Sequence, residues 1–220
     1  MISEYIEISG ANVIEVGCGA GGILKGIIGD DANGIGCDFG FNYLKFAQSK
    51  SLKVFQGSIE AMSDNSADVL VYSHALEHIA KPKIEISEMF RVLKDNGLVV
   101  IVVPGVYSIH RHYGGRLSRY LQSAHLHHYT REHLRAVMEN SGFSERYGTQ
   151  GVTALFVKDT QALNKIKLGI KPPIKKTKRY LRLMLFARLP LSLLLFLYTS
   201  LRDALETARR FFMPYGVNDN

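Results

Sequence analysis

The chain has 220 residues, of which 46% are hydrophobic, and a formal net charge of +7. This length suffices for one fully packed core and argues against two large domains. The two cysteines, Cys18 and Cys37, lack metal-site spacing, and the first residues lack the basic start and apolar run of a signal peptide, so we expect reduced thiols and a cytoplasmic protein.

The positive charge is concentrated at one end of the sequence. Residues 158–220 contain 13 Lys and Arg against 4 Asp and Glu, whereas residues 1–157 contain 14 against 16. The excess positive charge therefore bears on what the tail binds and not on a pocket of the first 157 residues. We predict a folded domain over 1–157 and a basic, leucine-rich helical tail over 158–220.

Short apolar runs alternate with helix-like stretches through the first part of the chain. Strands are predicted near 12–16, 33–38, 52–56, 67–72 and 97–103, and helices near 20–28, 41–50 and 82–94. This alternation is typical of a parallel sheet covered by helices on both faces. Lys94 to Gly97 is expected to end the third helix, with the glycine just past its C-terminus.

A glycine-rich turn follows the first predicted strand. The segment Gly17-Cys18-Gly19 separates an apolar run from a helix start, and glycine lets a ligand approach the main-chain amides. Asp38 ends the second strand, where a carboxylate can accept hydrogen bonds from both ribose hydroxyls of a nucleotide-like cofactor. With Gly22, the glycines also fit a dinucleotide fingerprint, but Glu15 suits a cationic amino group better than a pyrophosphate.

Five sequence blocks, spread over roughly residues 10–157, occur in the order and spacing that a known family shows. They are Glu15 to Gly19, Gly36 to Phe39, Asp68 to Val71, His74 to Ile79 and Arg91 to Gly97. In these blocks the chain resembles the class I S-adenosylmethionine-dependent methyltransferases, especially the subgroup that includes the quinone-biosynthesis methyltransferases. The resemblance implies an α/β fold with a doubly wound, seven-stranded, mostly parallel sheet of the Rossmann-like methyltransferase type, followed here by a helical C-terminal appendage.

The resemblance also implies how S-adenosylmethionine would be bound as the cofactor. Glu15 would face its methionine end, and the amides of Gly17-Cys18-Gly19 would pack beside it. Asp38 would hold the ribose, and Phe39 would flank the adenine.

Three more positions are assigned to cofactor binding. Ser58 stands where the family commonly has an acid that contacts the adenine amino group, so it can hydrogen-bond but carries no charge. Ile59 is expected at the edge or face of the base. Ser73 lies at the end of the fourth strand, at the lip of the expected cofactor pocket.

His74 is the first candidate for a catalytic residue, because it stands nearest the carboxyl end of the fourth strand. An imidazole with a pKa near neutrality could remove a proton from an oxygen nucleophile. A packing or hydrogen-bonding role for His74 and His78 is the alternative.

Residues 105–128 show little periodicity, as expected of a substrate lid above a parallel sheet. Five histidines fall in this insert: His110, His112, His125, His127 and His128. They could converge on zinc or iron, but no cysteine joins them and polar lids use histidines freely, so no metal site is predicted. His128 precedes Thr130, the expected N-cap of a helix. Related methyltransferases often have a His or Trp before such a cap, so the resemblance makes His128 the second catalytic candidate. Strands over 143–149 and 152–157 would complete the sheet.

The tail carries nine cations without an intervening acid: Lys165, Lys167, Lys171, Lys175, Lys176, Lys178, Arg179, Arg182 and Arg188. The apolar-dominated run Leu189 to Leu201 follows, which is too short to cross a hydrocarbon core that needs about 20 helical residues. We expect peripheral contact with the inner membrane face through residues 171–201. Packing on the catalytic domain or a dimer contact is the alternative.

The expected activity is methyl transfer from S-adenosylmethionine to a small-molecule or lipid-linked acceptor, with oxygen as the favoured nucleophile. A nucleic-acid methyltransferase is one alternative. However, His74 to Glu77 does not resemble the Asn- or Asp-Pro-Pro-aromatic stretch that grips a flipped base, so no nucleic-acid partner is expected. An NAD-dependent oxidoreductase and a non-catalytic scaffold that keeps the cofactor fold are the others.

Overall fold

Seven strands form one sheet in the computed structural model, which describes residues 7–29, 31–114, 116–163 and 174–186. The strands are β1 Asn12–Val16, β2 Asn33–Asp38, β3 Val54–Gln56, β4 Ala67–Ser73, β5 Leu93–Val102, β6 Phe143–Gly148 and β7 Thr153–Lys158. Their order is β3-β2-β1-β4-β5-β7-β6. Strand β7 runs antiparallel to β5 and β6, and all other pairs are parallel. The predicted fold class is confirmed.

The described residues form eight α-helices. They are α1 Gly22–Gly29, α2 Phe41–Ser49, α3 Pro82–Val92, α4 Ile109–Tyr113, α5 Leu117–Tyr120, α6 Arg131–Glu139, α7 Thr160–Leu163 and α8 Ile174–Phe186. Short 3-10 turns occur at Ile59–Ala61, Leu76–His78 and Val106–Ser108. Thr130 caps α6 as predicted, because its hydroxyl accepts a hydrogen bond from the His133 amide.

The core forms on both faces of the sheet, and β4 shows why its sequence is almost continuously apolar. Leu70 and Tyr72 pack in one cluster of buried side chains, and Val69 and Val71 pack in a second cluster. Alternate residues of a strand point to opposite faces, so a central parallel strand needs apolar side chains on both. The carboxyl ends of β1, β2 and β4 lie side by side at one edge of this sheet, which places the turns that follow them together.

The predicted end of the third helix is wrong. Helix α3 stops at Val92, and Leu93 already pairs with Ala67 as the first residue of β5. Lys94 donates from its ammonium group to both carboxylate oxygens of Asp68 at 2.8 Å, which anchors the segment to β4. Gly97 therefore lies inside a strand rather than past a helix terminus.

The chain divides into two compact units, Met1–Pro173 and Ile174–Asn220. In the first, β7 extends to Lys158, one residue beyond the predicted domain boundary. In the second, the structure describes α8, and the predicted apolar run from Leu189 to Leu201 lies outside the described residues. Across the part of the chain that is described, no helix combines the length and apolar character needed to cross a bilayer.

Candidate active site

The glycine turn after β1 is held by hydrogen bonds from its own amides. The Gly17 and Cys18 amides donate to the Cys37 carbonyl at 2.8 and 3.1 Å. The Gly19 amide donates to Asp38 Oδ2 at 2.9 Å, and the Gly40 amide donates to Asp38 Oδ1 at 2.6 Å. These amides therefore already donate hydrogen bonds within the protein. What the turn offers a ligand is mainly a surface without side chains.

Asp38 keeps acceptor capacity in this arrangement. Each carboxylate oxygen has one backbone donor, and an ionised carboxylate has about four acceptor sites in total. Asp38 therefore combines the fixed orientation of a bound side chain with lone pairs for two further donors. That is the property that a ribose diol requires.

Glu15 lies beneath the turn, with 3% of its surface exposed. Its Oε2 accepts a hydrogen bond from the Leu24 amide in the first turn of α1 at 2.9 Å. Burial raises the pKa of Glu15 to about 7, against the opposing effect of the Leu24 amide and with a further increase from the charge of Asp38. A nearby cation would reverse much of this shift, so the buried carboxylate is poised to respond to a positively charged ligand.

Replacement of Glu15 by Gln should make protein stability less sensitive to pH. A raised folded-state pKa means that ionisation of Glu15 costs stability, and this cost grows as pH rises from about 4.5 to about 7. We expect the free energy of unfolding of Glu15→Gln, relative to wild type, to increase by a value of the order of 3 kcal/mol over this interval. Urea unfolding of both cofactor-free proteins from pH 4.5 to 8 measures this difference, and a pH-independent difference would contradict the assignment.

A cavity of about 520 Å³ opens above the carboxyl ends of β1, β2 and β4. This volume lies within the range of small-molecule sites. The predicted residues that line it are Gly17, Asp38, Phe39, Ser58 and His74. Phe39 is 73% exposed, which leaves its ring free to contact a ligand.

Other predicted residues lie outside the lining of this cavity. Ile59 has no exposed surface and packs in the core, so its side chain does not line the cavity. Cys18 and Cys37 are free and buried, and burial raises the pKa of both thiols to about 12, which keeps them protonated at neutral pH. Gly19 acts through its amide bond to Asp38, and Ser73 ends β4 just before His74.

A second cavity of about 600 Å³ shares one lining residue, His74, with the first. Tyr113, Thr149 and Gln150 also line it. His74 has a positive φ of 53°, which is uncommon outside glycine, and its amide donates to the Val102 carbonyl at 2.8 Å. This backbone conformation directs the side chain of His74, which is 62% exposed, toward the lip between the two cavities.

His128 is not among the residues that line either of these cavities. Its ring packs on Tyr120 with 4.7 Å between centroids, and the Tyr120 hydroxyl donates to the Pro104 carbonyl at 3.2 Å. Burial lowers the pKa of His128, which favours the neutral ring. The structure therefore gives His128 a packing position, and its predicted catalytic role has no support from this geometry.

Sequence reasoning missed two acidic residues of the first cavity. Glu60 lines it, two residues after Ser58, and brings a carboxylate to the region where the family acid was missing. Glu85 also lines it, and its Oε1 accepts a hydrogen bond from the Tyr72 hydroxyl at 2.6 Å. Burial raises the pKa of Glu85. Glu60 could have been found from its position two residues after Ser58, whereas Glu85 lies on α3 and had no such signal.

Comparison with known proteins identifies relatives of this chain. Residues 2–145 match the family model described as a methyltransferase domain. A ubiquinone biosynthesis O-methyltransferase from Pseudomonas fluorescens (strain SBW25) is 30% identical over 107 residues, an alignment that covers 44% of this chain and 46% of that protein. The match thus spans about half the length of this curated relative.

Solved structures share the fold. A SAM-dependent methyltransferase from Archaeoglobus fulgidus has a TM-score of 0.56 at 22% identity and covers 65% of each chain. One from Methanosarcina mazei has a TM-score of 0.57 at 17% identity, covering 71% of this chain and 94% of its own. At these sequence identities the comparison shows a shared fold and nothing more specific.

Proposed function

The chain belongs to the S-adenosylmethionine-dependent methyltransferases, and from this premise we propose that it methylates an oxygen atom of a small-molecule or lipid-linked acceptor. The observation that carries the proposal is the position of His74 at the lip shared by two cavities. One cavity would hold the cofactor and the other the acceptor. Methyl transfer from a sulfonium is an in-line displacement, so two adjoining cavities supply the required approach of nucleophile and methyl group.

The cofactor would occupy the cavity lined by Asp38 and Phe39. Asp38 would accept hydrogen bonds from the ribose hydroxyls through the lone pairs that Gly19 and Gly40 leave free. Phe39 would lie against the adenine, and Ser58 or the Glu60 carboxylate would accept from its amino group. Glu15 would balance the positive charge of the methionine end from below the turn, where its burial strengthens the attraction.

Oxygen as the nucleophile is supported by the chemistry of His74. A hydroxyl must lose its proton as it attacks the methyl group, and an exposed imidazole between the cavities can accept that proton. The relative from Pseudomonas fluorescens is named an O-methyltransferase, which agrees with this choice of atom. The residues of the second cavity, including Tyr113 and Gln150, would determine which acceptor fits.

Replacement of His74 by Ala should lower turnover far more than cofactor affinity. Loss of a general base typically costs about 10²- to 10⁴-fold in rate, whereas His74 is one of several residues around the cofactor cavity. The acceptor is found by incubating wild type with isotopically labelled S-adenosylmethionine and membrane extracts, and the variant is then compared on that acceptor. S-adenosylhomocysteine affinity is measured by isothermal titration calorimetry.

A matched control is His133→Ala, which makes the same change at an exposed position of α6 outside both cavities. It should retain wild-type turnover. Full activity in His74→Ala would remove His74 from the mechanism and leave positioning alone as the source of catalysis. If wild type methylates no component of the extracts although S-adenosylhomocysteine binds, the proposed acceptor class is wrong.

We also propose that the basic tail makes peripheral contact with an anionic membrane surface. Lys175, Lys178, Arg179 and Arg182 are spaced to share one face of α8, and Ile174, Thr177 and Leu181 are spaced to share another. Such a helix can lie in the interface, with its cations at the head groups. The alternative remains a protein-packing role for this segment.

Neutralising the cationic face of α8 should release the protein from anionic vesicles. Each cation near an anionic surface contributes about 1 kcal/mol, so four Gln substitutions at Lys175, Lys178, Arg179 and Arg182 should weaken binding more than tenfold. Sedimentation with phosphatidylserine-containing vesicles at low salt measures the effect. Substitution of Lys25, Lys45, Lys50 and Lys53, which are exposed in the first unit, is the charge-matched control. Equal release by both sets, or no binding by wild type, would refute the proposal.

A further inference from the structure

Three metal-ligating side chains meet beside the lip of the two cavities. The ligand atoms of Glu77, His78 and His125 all lie within 4.8 Å of one another. Glu77 and His78 belong to the turn after β4, whereas His125 belongs to the insert. The amides of Leu126 and His127 donate to the Glu77 carbonyl at 2.9 and 3.1 Å, so main-chain hydrogen bonds hold the insert against that turn.

No residue that the structure describes donates a hydrogen bond to the Glu77 carboxylate. Glu77 is 1% exposed, and neither Oε1 nor Oε2 accepts a hydrogen bond. His74 Nδ1 approaches Oε1 to 3.4 Å without the geometry of a hydrogen bond. Burial of an uncompensated carboxylate is costly, and buried charges in proteins are normally paired or coordinate metals. An ionised Glu77 in this position would therefore be stabilised by a positive partner.

The neighbouring His78 cannot supply a donor in its neutral form. Its Nδ1 lies 2.7 Å from the Ala124 carbonyl. A carbonyl only accepts, so Nδ1 carries the proton and donates, which leaves a lone pair on Nε2. This Nε2 faces Glu77 Oε1 at 3.9 Å. Two acceptors thus face each other across a gap, an arrangement that a cation between them would satisfy.

We propose that Glu77, His78 and His125 bind one divalent cation of the Zn²⁺ class. Two imidazoles and one carboxylate match the protein ligands of catalytic zinc sites, which keep a further position for water or substrate. Imidazole-rich sites favour zinc and related first-row metals over Mg²⁺, which prefers oxygen ligands. The hydrogen bond from His78 Nδ1 to a carbonyl is the second contact that typically orients a metal-binding histidine.

The separations in the structure suit such an ion. Zinc bonds of about 2.0–2.2 Å place ligand atoms roughly 3–4 Å apart. His78 Nε2 is 3.9 Å from Glu77 Oε1, inside this range, and all three ligand atoms lie within 4.8 Å of one another, so binding would draw the group slightly closer together. The expectation that the five histidines of the insert bind no metal is replaced by this proposal for His125 alone, because the fold brings His125 to the buried carboxylate of Glu77.

The location suggests a use for the ion, and this part rests on the proposed function. His78 lines the cofactor cavity, and His74, which contacts Glu77, lines both cavities. A cation here could bind the acceptor oxygen at its open position, lower the pKa of that hydroxyl and aim it at the methyl group. The proton would leave to His74 or to solvent, and no redox step is involved.

Metal-free protein titrated with ZnCl₂ tests the site. Full-length wild type should bind one equivalent, and Glu77→Gln and His125→Ala should each weaken binding at least about tenfold. A millimolar concentration of Mg²⁺ should compete poorly. Substitution with Co²⁺ should give visible absorption bands in wild type that both variants lose. His127→Ala, which alters a histidine of the same insert outside the group, is the matched control and should bind as wild type does.

Calorimetry with S-adenosylhomocysteine separates this proposal from the proposed function. Wild type without stoichiometric Zn²⁺ binding, or equal binding by wild type and His125→Ala, overturns the metal site and leaves Glu77 and His78 as an ion pair. Loss of binding in His127→Ala as well would also overturn it, because that result indicates nonspecific capture by histidines. If Glu77→Gln misfolds and therefore fails to bind S-adenosylhomocysteine, zinc binding by His125→Ala alone tests the metal site. Zinc binding without any methylation would refute the proposed function alone.

Discussion

Asp38→Ala is expected to weaken S-adenosylhomocysteine binding by about tenfold to a hundredfold. The change removes a carboxylate that would accept hydrogen bonds from two ribose hydroxyls, a charge-assisted contact worth about 1.5–3 kcal/mol. It also frees the Gly19 and Gly40 amides, which Asp38 now holds at 2.9 and 2.6 Å. Isothermal titration calorimetry gives the dissociation constant directly.

Two controls distinguish lost ligand contacts from a loosened turn. Asp95→Ala removes an exposed carboxylate of β5 outside the cofactor cavity and should bind S-adenosylhomocysteine normally. Asp38→Asn keeps one acceptor oxygen, so it should fall between wild type and Asp38→Ala. If the dissociation constant of Asp38→Ala equals that of wild type, the ribose role of Asp38 is wrong, whatever happens to thermal stability.

The sheet could be predicted from the sequence because its physical causes are local. Strands β1 and β4 are runs of apolar residues that end at glycine or polar turns, and such runs need burial on both faces. Asp38 and His74 could be found for the same reason, since each follows directly from a strand end. Residues at the carboxyl ends of neighbouring parallel strands share one edge of the sheet.

Contacts between distant segments could not be predicted in this way. Nothing in the local pattern says that His125 meets Glu77, because the insert is held there by main-chain hydrogen bonds to the Glu77 carbonyl. The burial of the Ile59 side chain could not be predicted either, because its place beside the base was taken from the resemblance and not from a packing pattern. The stacking of His128 on Tyr120 is likewise set by how the insert folds back.

The glycine turn after β1 differs from its sequence motif in which glycine the backbone requires. The sequence pattern gave weight to Gly22, yet the structure places Gly22 at the start of α1 and gives Gly21 the positive φ of 78°. A Cβ on Gly21 would collide with the Leu52 side chain. A motif is defined by the spacing of glycines in the sequence. Which positions require glycine in the fold depends on backbone conformation and on the space for a Cβ.

Gly17→Ala is expected to destabilise the protein and to weaken S-adenosylhomocysteine binding at least tenfold. Gly17 has a φ of 71°, which a residue with a Cβ adopts only at a cost, and the added Cβ would lie 2.8 Å from Ala75 Cβ. Backbone strain of about 1–3 kcal/mol and overpacking of about 1–3 kcal/mol together predict a loss of roughly 2–6 kcal/mol. A loss in the lower half of this range leaves a domain of typical stability folded.

The binding loss follows because Gly17 and Ala75 both line the cofactor cavity. Relief of the clash must move the turn, Ala75 or both, and each movement alters the cofactor cavity. Gly26→Ala is the matched control, since its Cβ would meet no atom within 4 Å and it lies inside α1. It should leave binding unchanged and raise stability by about 0.4–1 kcal/mol. Urea unfolding and calorimetry of both variants decide the matter, and a Gly17→Ala protein as stable and as tightly binding as wild type would show that the cofactor does not depend on this turn.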